Sequence, residues 1–317
     1  MWLLYTSASM RTIDENTVTD AAVEQISSTE NPRLREIMTA AVRHLHAFAR
    51  ELDLTPEEWL AGIGFLTAVG RKCSPIRQEF ILLSDTLGLS SVVNSLNDKR
   101  VLGDSPAASE DTKSSLLGPF YRQGSPEFEY GQSVAAKTPG SEIAYYGRVQ
   151  DATGRGIGNA TIQVWQTDEG GMYDTQRQDG SEMDMRGTFH TDAEGRYCLR
   201  TVRPLSYSVP MDGPVGEMIR AQRRHGMRPA HTHFLISAPG YRELVTAIYM
   251  GSDQYIDSDT VFGVSASLVT EPKHGDHSSP FPNLPSVHYD FVLTAAAKDR
   301  GSGRVGADPS QFMEAAH

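Results

Sequence analysis

Helices first and strands afterwards: the sequence predicts an α+β fold, with an N-terminal helical bundle and linker over residues 1–110 and an antiparallel β-sandwich over 111–317. Three observations predict it. Apolar residues recur at helical spacing only in the first third of the chain. Residues 97–141 are rich in Asp, Gly, Ser and Pro and read as a linker and loop region. From Ile143 onward, short β-branched and aromatic runs alternate with turn clusters, the pattern of a sandwich.

The helices come first. Asn31-Pro32 is a start signal, and Leu34, Ile37, Met38, Ala41, Leu45, Phe48 and Leu52 follow at helical spacing. Thr55-Pro56-Glu57-Glu58 joins an N-cap, a proline in the first turn and a glutamate that can bond back to the cap, which is a capping box. Trp59, Leu60, Ile63, Leu66 and Val69 form the next apolar stripe, with Gly70 as the expected stop. A third helix is expected from Pro75 to Leu87, ending at Gly88. The linker that follows holds one apolar island, Leu116-Leu117-Gly118-Pro119-Phe120-Tyr121.

Strands are expected at Ile143 to Gln150 and Thr161 to Trp165, on either side of the turn-rich Asp151-Ala152-Thr153-Gly154-Arg155-Gly156. Thr188 to His190 and Arg196 to Val202 flank Thr191-Asp192-Ala193-Glu194-Gly195 and are expected to form a hairpin. His231 to Ala238, Leu244 to Met250 and Val287 to Leu293 complete the set.

Composition excludes several classes. A formal net charge of -11 argues against a nucleic-acid partner. No apolar stretch approaches the roughly 20 residues that span a bilayer. The apolar start Met1-Trp2-Leu3-Leu4-Tyr5 lacks a basic flank, so no signal peptide is expected, and Met10 is as good a start as Met1. Cys73 and Cys198 are far apart and form no CxxC pair, which points to a reducing, cytoplasmic setting. P-loop, strand-linked GxGxxG, GxSxG and HExxH motifs are all absent.

The sharpest local feature is Arg228-Pro229-Ala230-His231-Thr232-His233-Phe234. Side chains alternate faces along a strand, so His231 and His233 project together, as a chelating pair must. Thr232, Phe234 and Ile236 then face the core. A pair of surface histidines fits the same spacing equally well. Carboxylates that could join a metal include Asp168, Glu169, Asp174 and Asp212. Tyr173, in Gly170-Gly171-Met172-Tyr173-Asp174, and Tyr207, in Pro204-Leu205-Ser206-Tyr207-Ser208-Val209-Pro210, stand in loops of the kind that carry functional side chains.

In sequence, the run from Leu116 to about Leu268 resembles the intradiol ring-cleavage dioxygenases and, among them, the hydroxyquinol 1,2-dioxygenases. The matching stretches are Leu117-Gly118-Pro119-Phe120-Tyr121, Val164-Trp165-Gln166, Tyr207-Ser208-Val209-Pro210, Asp212-Gly213-Pro214-Val215-Gly216, the HxH segment, Ala238-Pro239-Gly240-Tyr241 and Asp257-Ser258-Asp259-Thr260-Val261-Phe262-Gly263-Val264. In the helical third, Gln78-Glu79-Phe80 and Leu83-Ser84-Asp85 match as well.

The resemblance implies one iron(III), Fe(3+), per chain, held by Tyr173, Tyr207, His231 and His233. Phenols, with a pKa near 10, ionise at neutral pH only on a strong Lewis acid. Two phenolates and a hydroxide would balance the ferric charge, and two neutral imidazoles complete the set. The family's mechanism implies that a catechol binds through both oxygens, displacing hydroxide and Tyr207, and that the displaced ligands accept its protons. Arg228 is placed near the reacting carbon, where a guanidinium stabilises developing negative charge.

By the same resemblance, Leu82, Asp85, Leu116, Leu117, Gly118, Pro119, Phe120, Val209, Pro210, Arg228 and Ala247 surround the ring. Ala247 stands where catechol-cleaving members carry glutamine, and hydroxyquinol-cleaving members tend to carry histidine near there, so it matches neither pattern. The expected reaction is cleavage of hydroxyquinol with O2 to 3-hydroxy-cis,cis-muconate or maleylacetate, in aromatic catabolism, by a homodimer joined through its helical third. The alternatives are a catechol or chlorocatechol 1,2-dioxygenase, a non-catalytic β-sandwich binding module, and a hydrolytic zinc site built on His231, His233 and a carboxylate.

Overall fold

The computed structural model describes residues 13–74, 77–102, 111–135, 137–177 and 183–296. The expectations for Met1 to Tyr5, Met10 and Pro75 lie outside them. The chain forms two compact units, one holding the described residues up to Gly64 and the other Phe65–Ala296.

In the first unit, helix α1 (Val18–Ile26) packs on α2 (Pro32–Glu51). The Asn31 side chain accepts from Arg33 N at 3.0 Å and Leu34 N at 3.1 Å, the expected cap. Helix α3 (Pro56–Lys72) begins in this unit with the expected box: Thr55 N donates to Glu58 at 3.0 Å, and Glu58 N to Thr55 Oγ1 at 3.2 Å. It runs past Gly70, which is not a stop. The apolar stripe of α2 is exposed in the single chain, with Leu45 and Phe48 more than half accessible.

The second unit adds α4 (Glu79–Thr86) and α5 (Leu89–Leu102), joined at Gly88. Helix α5 extends through residues 97–102, which the sequence read as linker. Strand β1 (Glu142–Asp151) is central to one sheet. It pairs antiparallel with β4 (Arg196–Val202) along one edge, and parallel with β10 (Ser286–His288) and then β11 (Phe291–Leu293) along the other. The second sheet has the order β3 (Arg186–His190), β2 (Thr161–Gln166), β7 (His231–Ser237), β8 (Leu244–Met250), β9 (Val269–Thr270), the last pair parallel. A two-stranded ribbon joins β5 (Tyr207–Ser208) to β6 (Met227–Arg228), and α6 (Pro214–Ala221) lies between them in sequence.

Helices before strands is the expected order, but the sheets are mixed rather than purely antiparallel. Strands β3 and β4 belong to different sheets, so residues 191–195 cross between sheets instead of closing a hairpin. The turns of residues 151–156 and 191–195 stack on each other, with Val149 N donating to Gly195 O at 2.8 Å. Apolar side chains from both sheets meet between them, among them Tyr145, Ile162, Val164, Leu199, Phe234, Ile236 and Phe291.

The expected strand from Val287 to Leu293 is broken at Tyr289 and Asp290. Tyr289 N donates to Tyr146 O at 3.0 Å, and Tyr289 O presses on Gly147, where a Cβ would lie 2.1 Å away. Gly147 has φ +154°, which also disfavours a side chain. Gly147→Ala is therefore expected to cost about 3 kcal/mol, read as a melting temperature lower by roughly 6–12 °C. An unchanged melting temperature would show that the break can shift to admit a methyl group.

Candidate metal centre

The site lies on the outer face of the second sheet. Period-two alternation sends Phe234 and Ile236 into the core, and Thr232 Oγ1 sits 2.8 Å from Tyr145 Oη. His231 and His233 point outward, yet only 2% and 1% of their surfaces are accessible, so they are not surface histidines. In register, His233 lies between Trp165 of β2 and Ala247 of β8, and His231 lies opposite Tyr249. The Trp165 and His233 rings stack at 4.8 Å with an interplanar angle of 4°. Gly118 lies over the far edge of the His233 ring, its Cβ position 3.7 Å from Cε1.

Tyr173 reaches the histidines from the loop after β2. Asp168 accepts from Gly170 N and Met172 N and shapes that loop, and Tyr173 N donates to Gln176 Oε1 at 2.9 Å. The buried Arg186–Asp174 ion pair anchors the next residue, and the same guanidinium donates to Phe120 O at 3.1 Å. Phe120 stacks on the Tyr173 ring at 4.3 Å. Tyr207 arrives differently. It is the cross-strand partner of Arg228 in the β5–β6 ribbon.

These elements bring four donor atoms together. The Nε2 atoms of His231 and His233 are 3.0 Å apart, and the Oη atoms of Tyr173 and Tyr207 are 3.5 Å apart. Arg228 Nη1 lies 3.4 Å from Tyr207 Oη and 3.2 Å from His231 Nε2. His231 Nδ1 sits 2.7 Å from Pro229 O, so it carries the ring proton and leaves the Nε2 lone pair facing the site. Burial, with the Arg228 charge, drives the His231 pKa well below the usual imidazole value. Burial and the adjacent His231 do the same for His233. Both rings are neutral. Burial and the neighbouring Tyr207 push the Tyr173 phenol well above its usual value.

Such a donor set fits a hard cation. Two imidazole nitrogens about 2.1 Å from one cation, at a right angle, stand about 3.0 Å apart. His233 Nδ1 is buried with no hydrogen-bond partner among the described residues, so at that spacing its Nε2 either donates to His231 Nε2 or turns a lone pair beside it toward a shared cation, and only a strong Lewis acid ionises two buried phenols side by side. The carboxylates are engaged elsewhere: Asp168 with Arg177, Glu169 with Ser141 N, Asp174 with Arg186, and Asp212 with Lys72 and Arg77. Among the described residues no group of three His, Cys, Asp or Glu is placed to hold a metal, so a zinc site with a carboxylate has no support.

The expected ring-lining residues divide. Leu82, Leu116 and Val209 pack in one buried cluster, and Phe120 packs with Tyr173, Tyr207 and Trp165 in another. Asp85 is 4% exposed, and burial raises its pKa despite the nearby Arg228. It is not a solvated helix end. Pro119 and Pro210 are half-buried. Ala247 is buried opposite His233 and packs with Tyr249 and Leu268. Leu117 is exposed and lines an outer cleft with Tyr121, Leu235 and Val245.

Three residues at the site were not singled out from sequence: Trp165, Tyr249 and Asp259. Strand alternation from Ala247 places Tyr249 on the site face. Asp259 lies in one of the matching stretches, but nothing local marks it as the partner of Arg228 on β6.

The chain matches the family model described as Dioxygenase over residues 117–295 and the one described as Catechol dioxygenase N terminus over 31–104. It is 42% identical to the 6-chlorohydroxyquinol 1,2-dioxygenase of Cupriavidus pinatubonensis, over 90% of this chain and 99% of the relative. Its fold matches the hydroxyquinol 1,2-dioxygenase of Pseudomonas putida with a TM-score of 0.79 and 42% identity, covering 89% of this chain and 99% of the other. A catechol 1,2-dioxygenase from Acinetobacter matches with a TM-score of 0.74 at 27% identity, covering 90% and 95%.

Proposed function

The chain belongs to the intradiol ring-cleavage dioxygenase family, and from that premise we propose that it cleaves hydroxyquinol with O2 between adjacent hydroxyls, giving 3-hydroxy-cis,cis-muconate, at one iron(III) held by Tyr173, Tyr207, His231 and His233. The observation that carries this reading is the convergence of two neutral imidazoles and two phenols in one buried cluster. Relatives named for hydroxyquinols reach 38–42% identity, against 36% for a catechol 1,2-dioxygenase of Candida albicans and 27% for the Acinetobacter one, which favours the triol.

Bound iron(III) supplies a Lewis acid that activates the aromatic diol toward O2. The chain supplies the rest. Tyr207, the phenol next to Arg228, would hold the metal as a phenolate and would be the base that takes up a substrate hydroxyl proton. Tyr173 is held from behind by the Phe120 stack and by the Asp174–Arg186 pair, so it is the phenol suited to stay. Arg228 directs Nη1 into the site and stabilises negative charge gathering on the ring. Leu82, Leu116, Val209 and Phe120 exclude water from a flat aromatic guest.

The test is metal analysis with a visible spectrum. About one iron per chain and a strong tyrosinate-to-iron band are expected. Stoichiometric zinc in a colourless protein would sink the reading. Within it, Asp85 accepts a hydrogen bond from the third hydroxyl, which catechol lacks. A buried acceptor left unpaired is costly. Asp85→Ala is expected to lower kcat/KM for hydroxyquinol about tenfold more than for catechol. Equal losses on both substrates would move the protein to the catechol or chlorocatechol class. The exposed apolar stripes of α2 and α3, with Leu45, Phe48, Trp59 and Leu60, support a homodimer. No described helix is long and apolar enough to cross a membrane.

A further inference from the structure

We propose that Asp259 is the positioning residue that aims Arg228, gripping one edge of the guanidinium so that the other edge faces the reacting ring. The inference rests on the reading of the site given above.

An arginine has five N–H donors in a rigid plane. Here they divide cleanly. Arg228 Nε donates to Asp259 Oδ1 at 3.2 Å, and Nη2 donates to Asp259 Oδ2 at 3.3 Å and to Tyr249 Oη at 3.1 Å. That leaves Nη1, whose two hydrogens point to Tyr207 Oη and His231 Nε2. Both side chains of the ion pair are only 3% exposed, so water does not compete for these donors. Burial disfavours the Arg228 charge, and Asp259 together with the Tyr207 and Tyr249 oxygens more than offsets it.

Asp259 is itself fixed. Its carboxylate accepts from Val261 N at 3.2 Å and Gly263 N at 3.0 Å, which folds the loop around it. The loop then closes on the guanidinium, and Gly263 O accepts from Tyr249 and Ser115. A two-point grip fixes rotation about the last side-chain bonds, which a one-point contact cannot do. Asparagine keeps the shape of Asp259 but loses the second acceptor oxygen.

If Asp259 acts only by aiming Arg228, its loss should lower turnover without weakening substrate binding. Its effect should also vanish once Arg228 is gone. In Asp259→Asn, turnover on hydroxyquinol is expected to fall about 10- to 100-fold, as for other groups that orient a functional side chain. Anaerobic affinity for hydroxyquinol, titrated by the visible band, should stay within about twofold. The double variant Arg228→Gln with Asp259→Asn should turn over within about twofold of Arg228→Gln alone. Turnover near wild type in a coloured Asp259→Asn protein would overturn the proposal. So would a loss of affinity as large as the loss of turnover, or a further tenfold loss in the double variant. Should Asp259→Asn fail to fold because it buries an unpaired cation, the double variant decides, since it carries neither charge. The Arg228 side-chain N–H signals in nitrogen-15 spectra of the metal-free protein give a readout independent of iron. They should be distinct in wild type and averaged by rotation in Asp259→Asn. That change in a wild-type protein found colourless and inactive would refute the iron reading and leave the positioning role standing. Identical signals in both proteins would overturn it.

Discussion

Tyr173→Phe is expected to give a folded protein that has lost most of its iron and at least about a thousandfold in ring cleavage. Groups that merely orient metal ligands cost about 10- to 100-fold, and this change removes a ligand atom outright. The substitution deletes one oxygen and keeps the ring, so the stack on Phe120 at 4.3 Å and the packing against Tyr207 survive. Between the metal-free proteins the stability change should stay within about 1 kcal/mol, since among the described residues the lost hydroxyl has only the neighbouring phenol, at 3.5 Å, as partner. Iron content, the visible band and O2 uptake check the prediction, with thermal unfolding as the control. Full iron and full activity would show that Tyr173 is a core residue and that the ligand set has been misassigned.

Arg228→Lys is expected to separate chemistry from metal retention. Lysine keeps a positive charge opposite Asp259, so the buried carboxylate is not orphaned. It lacks the planar fork, and one ammonium cannot hold both Asp259 oxygens while reaching Tyr207 and His231. Removing one aimed donor from an enzyme site commonly costs about 10²–10³ in turnover. Iron and colour should persist, because none of the four donor atoms changes. A protein that loses iron but keeps its activity per remaining iron would make Arg228 a structural residue.

Much of this site was legible in sequence, for reasons that differ by residue. The histidine pair follows from strand periodicity alone, which holds whatever the strand packs against. Its burial does not follow, because the cover comes from Gly118, over a hundred positions earlier, and from the Trp165 ring on the neighbouring strand. Tyr173 and Tyr207 were two of 12 tyrosines and were singled out by resemblance. Local pattern cannot show that β5 pairs with β6, and that pairing is what sets Tyr207 beside Arg228. The hairpin expected across residues 191–195 failed for the same cause. Turn chemistry reports that the chain reverses, not which sheet it enters. No helix was expected at α6, although the proline in its first turn is a helix-opening signal. Asp259 was beyond reach, since its meaning lies wholly in a distant partner.

The parallel pairing of β10 and β11 with β1 bears on how the protein is made. A ribosome delivers β1 and, soon after, β4, which can pair at once. The opposite edge of β1 must wait until residues 286–293 have emerged. At about 5–20 residues per second, that is a delay of roughly 10 s with a ten-residue strand edge open to strangers. By the end of that interval every residue of the metal centre has been synthesised, while the sheet behind it is still incomplete. Newly made chains are thus most exposed to misassembly on their last strands, and truncation there should yield aggregates rather than a smaller working enzyme.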